Sequence, residues 1–106
     1  MDTYDIYGSN LDLKQIKIKI EDCLNIDFIL KDSSYFGEYF QWRSSDDEGI
    51  EIKKNIDLTD GEPLKPQFSN YSALVFIDRT KRSDQIYKLL NDNGFERLSH
   101  NTYMTK

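Results

Sequence analysis

Residues 73–77, Ala73-Leu74-Val75-Phe76-Ile77, form a continuous apolar run, and the fold turns on how that run is read. A strand with one wet face alternates apolar and polar side chains, whereas an unbroken apolar run belongs to a strand covered on both faces or central in its sheet. The run is therefore expected as the central strand. Downstream, Thr80 or Ser83 can cap a helix whose apolar side carries Ile86, Leu89 and Leu90, and Gly94 followed by Phe95 fits a glycine stop with its hydrophobic contact. Residues 96–105 read as a last strand, polar enough to lie at a sheet edge.

Upstream, residues 3–7 are β-rich and Gly8-Ser9-Asn10 breaks them, offering Ser9 or Asn10 as a helix N-cap. Leu13, Ile16, Ile20, Cys23 and Leu24 then recur at three- and four-residue spacing, with Lys14, Lys17, Glu21 and Asp22 on the other side. That pattern is an amphipathic helix. From Ile26 the period changes to two, with Ile26, Phe28 and Leu30 on one side. Asp32-Ser33-Ser34 reads as a turn, residues 38–43 alternate again with Phe40 and Trp42 opposite Tyr39, Gln41 and Arg43, and residues 44–49 form the next turn. Ile50, Ile52, Lys54 and Ile56 alternate with Glu51, Lys53 and Asn55, which completes an antiparallel meander whose weak point is Lys54. Residues 57–70 carry Gly61, Pro63 and Pro66 and have the composition of a long irregular loop. Together these elements predict one α/β (α+β) domain over residues 1–106. Two helices pack on one face of a mainly antiparallel or mixed sheet, a ferredoxin-like arrangement with an inserted β-meander.

Fourteen Lys and Arg stand against 19 Asp and Glu, a net charge of −5 that argues against direct contact with nucleic acid or anionic lipid. The single cysteine, Cys23, cannot close an internal disulfide, and no basic N-terminal stretch followed by an apolar run announces export, so a reducing, cytoplasmic setting is expected. No apolar stretch approaches the roughly 20 residues that a membrane-spanning helix requires. The abundance of Ile, Lys and Asn hints at an AT-rich, bacterial coding sequence.

Catalysis needs a nucleophile, a base and an orienting group within hydrogen-bond reach. His100 is the one histidine and falls in the polar last strand as a surface residue, while Cys23 lies on the apolar side of the first helix as an inert thiol. Zinc-type Cys/His clusters, the calcium-loop pattern and glycine-rich phosphate cradles are all missing, and Asp57, Asp60 and Glu62 around Gly61 read as a solvated loop. The expectation is a chain with no catalytic residues, no metal and no cofactor.

Charge is distributed unevenly. Residues 46–62 hold seven acids and two bases, so this one segment carries a charge equal to the whole chain's −5. Its acids are Asp46, Asp47, Glu48, Glu51, Asp57, Asp60 and Glu62, and a solvated rim that aids solubility is the plain alternative to a binding surface. Immediately before it lie Tyr35, Phe36, Tyr39, Phe40 and Trp42, which strand alternation divides between two faces, so that packing under the helices cannot account for all of them unless both faces are covered. Tyr and Trp anchor protein interfaces because they bury large area and still offer a hydrogen bond. Tyr35, Phe36, Tyr39 and Trp42 with the seven acids are thus the expected docking residues for a basic protein.

In size, acidity and element order, with Tyr4-Asp5-Ile6-Tyr7-Gly8 and Tyr71-Ser72-Ala73-Leu74-Val75-Phe76 as the stretches that carry it, the chain resembles the small immunity proteins of bacterial contact-dependent inhibition and related polymorphic toxin systems. The resemblance implies a cytoplasmic α/β domain, a monomer or weak dimer, that neutralises a cognate toxin domain, commonly a nuclease and therefore basic. The alternative reading is a small-molecule-sensing or oligomerising regulatory domain, since ferredoxin-like sheets also pair side by side or bind ligands in a cleft.

Overall fold

The computed structural model describes residues 2–103. It runs β1 (Asp2–Ser9), α1 (Leu13–Leu24), β2 (Ile29–Ser33), β3 (Gly37–Arg43), β4 (Gly49–Lys54), β5 (Ala73–Thr80), α2 (Ser83–Asp92) and β6 (Glu96–Tyr103), with a short 3-10 turn at Pro66–Phe68. The six strands form one sheet in the order β2-β3-β4-β5-β1-β6, every neighbouring pair antiparallel. The expected apolar run lies in β5, an interior strand between β4 and β1. Taken alone, β4-β5-β1-β6 with helices after β1 and β5 is compatible with a ferredoxin-like order, and the hairpin β2-β3 widens it on one side.

The core follows from register. Phe40 pairs with Ile52 and Trp42 with Ile50; these pair in turn with Val75 and Ile77 of β5, and Val75 pairs with Tyr7. Because paired residues point the same way, this stripe forms one apolar face. Ile16, Ile20 and Leu24 of α1 and Ile86 and Leu90 of α2 close over it and are buried. The opposite face of β5 is covered by different means. Lys53 lays its ammonium over Phe36 at 4.3 Å, Phe76 at 5.0 Å and Tyr39 at 5.7 Å, so a cation–π cluster shields the strand there. The methylene stem of such a lysine adds apolar cover.

Helix caps depart from the expected residues. The N-cap of α1 is Asp12, in a reciprocal capping box with Gln15, while Ser9 accepts from the Leu11 N–H and Asn10 from the Ser72 N–H. At α2 the N-cap is Arg82 and makes no side-chain cap; Thr80 and Ser83 are drawn into buried contacts instead. The C-terminal stop of α2 is as expected, with Gly94 at φ +86° and Phe95 buried and donating its N–H to the Leu90 carbonyl. The hairpin turn lies at residues 34–36, two residues later than its sequence suggests, and β4 ends at Lys54 rather than running through Ile56. Of the expected last strand, residues 104 and 105 lie outside the described residues. No helix is long and apolar enough to cross a membrane.

Burial sets the behaviour of Tyr7. Its hydroxyl is buried without a hydrogen-bond partner among the described residues, and burial, reinforced by the Asp5 charge, pushes it from the ordinary 10 up to about 12. The protonated form is the one the fold holds. The unfolded chain ionises near 10, so the Tyr7 contribution to stability should be constant below pH 10 and fall by up to about 2–3 kcal/mol between pH 10 and 12. In urea titrations across that range the Tyr7→Phe variant should lose this alkaline drop and cost less than about 1 kcal/mol at neutral pH.

Candidate functional site: the hairpin tip and its acidic loop

Strand β4 separates the acidic segment into two groups. Its six residues span about 20 Å at 3.3 Å per residue. Asp46, Asp47 and Glu48 sit in the β3-β4 turn at one end, whereas Asp57, Asp60 and Glu62 lie beyond the other end, beside Tyr35 and Phe36 of the β2-β3 turn. The eleven expected docking residues therefore do not form one surface.

At the turn end two of the three acids, Asp47 and Glu48, are paired. Register between β1 and β5 shifts between the Thr3↔Thr80 and Asp5↔Ile77 pairs, which marks a bulge at Asp78 and Arg79, and Arg79 takes the left-handed conformation with φ +53°. The extra residue turns Thr80 inward, where its hydroxyl donates to Glu48 at 2.6 Å. Arg82 completes the site with Nη2 at 2.7 Å from Glu48 Oε1 and Nε at 3.1 Å from both oxygens. Burial works to raise the Glu48 carboxyl, yet the hydrogen bonds from Arg82 and Thr80 hold it below the ordinary glutamate value. Glu48 thus pins a turn to the start of α2 and is not a surface acid. Asp47 pairs with Arg79 at 3.4 Å on the surface, and Trp42, half-buried on the core, lines a cleft of about 600 Å³ with Asp46, Arg79, Lys81 and Arg82. Three cations offset the carboxylates here.

Tyr39 and Glu51 occupy the middle of the open sheet face. Both Glu51 oxygens are engaged, one by Lys53 at 2.8 Å and one by the Gln41 amide at 2.7 Å. Tyr39 stands edge-on to Phe36 with centroids 4.9 Å apart, under the Lys53 ammonium. These groups build the sheet's second face.

The tip end is organised for display. Gly37 closes the hairpin at φ +73°, a conformation that favours glycine, and a Cβ there would lie 3.3 Å from Leu58. The Leu58 N–H donates to the Tyr35 carbonyl at 2.6 Å, which joins loop to hairpin. Asp57 Oδ1 accepts from the Thr59 N–H and hydroxyl, the Asp57 N–H donates to the Glu62 carbonyl, and Asp60 Oδ1 accepts from the Glu62 N–H. The Thr59 hydrogen bonds hold Asp57 below the ordinary aspartate value. The rest of the loop is far from irregular: Asn55 Nδ2 donates to the carbonyls of Phe68 (3.0 Å) and Tyr71 (3.2 Å), and its Oδ1 accepts from the Lys65 N–H (2.9 Å). One amide side chain replaces a missing run of secondary structure. The product is an exposed pair, Tyr35 at 63% and Leu58 at 54%, rimmed by Asp57, Asp60 and Glu62, none of which forms an ion pair with any described residue. Leu58 was not among the expected residues; an apolar residue inside a polar loop was its only signal.

His100 is less isolated than its strand suggests. Its Nδ1 lies 2.7 Å from Asp5 Oδ1, and the Ser83 hydroxyl donates to Asp5 Oδ2 at 2.6 Å. Asp5 is buried, so the two groups satisfy a carboxylate that links β1 to β6 and α2. Ser83 faces Nδ1 at 3.4 Å and is already committed to the carboxylate, which is not the nucleophile–base–acid relay of a hydrolase. Cys23 is partly buried, and burial pushes its thiol up. Among the described residues no group of three His, Cys, Asp or Glu is placed to hold a metal ion.

No protein-family model, no curated protein and no solved structure matches this chain.

Two variants separate scaffold from display. Glu48→Gln should cost about 1–3 kcal/mol by leaving Arg82 and Thr80 poorly matched. Since Glu48 is held below its ordinary value, its contribution is present above the ordinary glutamate range and disappears as pH falls through the folded value; the wild-type advantage over Glu48→Gln should therefore shrink in acid denaturation series. Asn55→Ala should lower stability by about 2 kcal/mol and raise amide exchange across residues 65–72, read by hydrogen-exchange mass spectrometry.

Proposed function

We propose that this chain is a binding module that captures a basic protein, in the manner of an immunity protein that neutralises a cognate toxin domain in the bacterial cytoplasm, and that its docking surface is the hairpin tip. The observation that carries the reading is the exposed Tyr35 and Leu58 pair within a rim of unpaired carboxylates. Aromatic and aliphatic anchors supply slow release once desolvated, and an acidic rim accelerates capture of a positively charged partner. A nuclease must be basic to hold its own substrate, so it suits this surface. The reading shifts the weight of the acidic segment toward Asp57, Asp60 and Glu62 and away from Glu48 and Glu51, whose charges are already matched by Arg82 and Lys53. It favours binding over catalysis because His100 and Ser83 both serve the buried Asp5.

Co-expression with a candidate toxin domain tests this. Growth should be restored and a complex should survive purification; toxicity that persists with both proteins soluble would overturn the reading. Within such a complex, Tyr35→Ala should speed dissociation about tenfold or more, and Asp57→Asn, Asp60→Asn and Glu62→Gln together should slow association and flatten its salt dependence. Asp46→Asn with Asp47→Asn should leave association close to wild type.

A further inference from the structure

A groove of about 450 Å³ opens on the helix-covered face of the sheet, between the start of α1 and the β2-β3 hairpin. Leu30 and Phe40, a register pair, line it together with Leu13 of α1 and with Ile56 and Leu58 of the loop. Leu30 is 55% and Leu58 54% exposed, so the fold leaves this apolar lining uncovered. A hollow of that size, mostly apolar with a few polar groups at its border, has the build of a small-molecule site.

Three charged side chains border the groove: Lys14, Lys54 and Glu38. Strand alternation puts Glu38 on the face of Phe40 and Lys54 on the face of Ile52, and Phe40 pairs with Ile52, so the carboxylate and the ammonium rise from neighbouring strands at one level. They do not close on each other. Glu38, Lys54 and Lys14 are exposed and form no ion pair with any described residue. Beyond Glu38 stands Asp32, its register partner in β2 and likewise without an ion pair; near Lys14 the Asp12 carboxylate is committed to the Gln15 N–H. The hairpin side of the groove is therefore acidic and the α1 side basic.

We propose that this groove binds a free α-amino acid with an apolar or aromatic side chain. Such a ligand carries an ammonium and a carboxylate on one carbon, the two charges that Glu38 and Lys54 leave unanswered side by side. Its ammonium meets Glu38, with Asp32 behind, its carboxylate meets Lys54 and Lys14, and its side chain covers Leu30, Phe40 and Leu58. Contacts of this kind are charge-assisted hydrogen bonds over an apolar base. A fatty acid would leave Glu38 without a partner, and an apolar amine would face two lysines; the zwitterion matches both signs. Leu58 is shared with the hairpin tip, but amino-acid binding stands or falls independently of partner capture.

Titration of the isotope-labelled chain with L-phenylalanine, L-leucine and L-tryptophan, followed by amide chemical shifts, tests this. At least one should give saturable changes at residues 13–14, 30, 38–40 and 54–58, half-complete below about 10 mM. Phenylacetate, phenethylamine and glycine each lack one of the three recognised groups and should bind at least about tenfold more weakly. Glu38→Gln and Lys54→Gln, both at exposed positions, should each weaken amino-acid binding at least about fivefold. No saturable shift with any of the three amino acids up to about 10 mM overturns the proposal, as do shifts centred outside the groove. So does phenylacetate or phenethylamine binding as tightly as the amino acid, or an affinity that neither substitution changes. The analogue series needs only the wild-type chain and decides the matter by itself should a variant not fold.

Discussion

β5 needs cover on both faces, and the rest of the structure answers that need. An interior strand of unbroken apolar character cannot leave either side to water. α1 and α2 close the side that carries Val75 and Ile77, while on the other side Lys53 draws Phe36, Tyr39 and Phe76 together, and the Tyr71 ring and Leu98 lie over Gly8, the partner of Leu74. Leu74 is fully buried as a result. Most of the aromatic run thus has a structural task, and only Tyr35, at the very tip, is released from it.

The meander that widens the sheet also decides where charge can act. β4 runs the length of the sheet, so residues close in sequence at its two ends belong to different neighbourhoods. At the turn end, Arg79, Lys81 and Arg82 arrive from the end of the neighbouring strand β5 and the residues leading into α2 and offset the acids; at the tip end Asp57, Asp60 and Glu62 hydrogen-bond only to their own loop. A net charge of −5 spread evenly would say little about a partner. Three carboxylates gathered beside exposed apolar side chains are what the proposed capture of a basic partner rests on.

Buried ionic groups recur where α2 meets the sheet. Glu48 with Arg82 and Thr80 fastens the β3-β4 turn to α2, and Asp5 with His100 and Ser83 fastens β1 to β6 and the same helix. Both lie at the start of α2, whose N-cap, Arg82, makes no side-chain capping bond to the helix. Breaking a buried pair leaves a charge unmatched, so such sites fix geometry more firmly than they add stability.

Periodicity in the sequence determined the elements: the alternation of Ile50 and Ile52, the helical spacing of Ile16, Ile20 and Leu24, the run at 73–77 and the stop at Gly94 each depend on residues a few positions apart, which is the range over which backbone geometry imposes a pattern. The interior placement of β5 and the polar edge of β6 followed from the same patterns. Which acids remain available did not. Glu48 meets Thr80 across 32 residues of chain and Arg82 across 34, Asp5 meets His100 across 95, and the loop hangs on Asn55, a residue that reads as one polar position in a strand. Hydrogen bonds between side chains distant in sequence carry no periodic signature, so only the folded chain could separate the carboxylates that hold it together from those without an ion pair among the described residues.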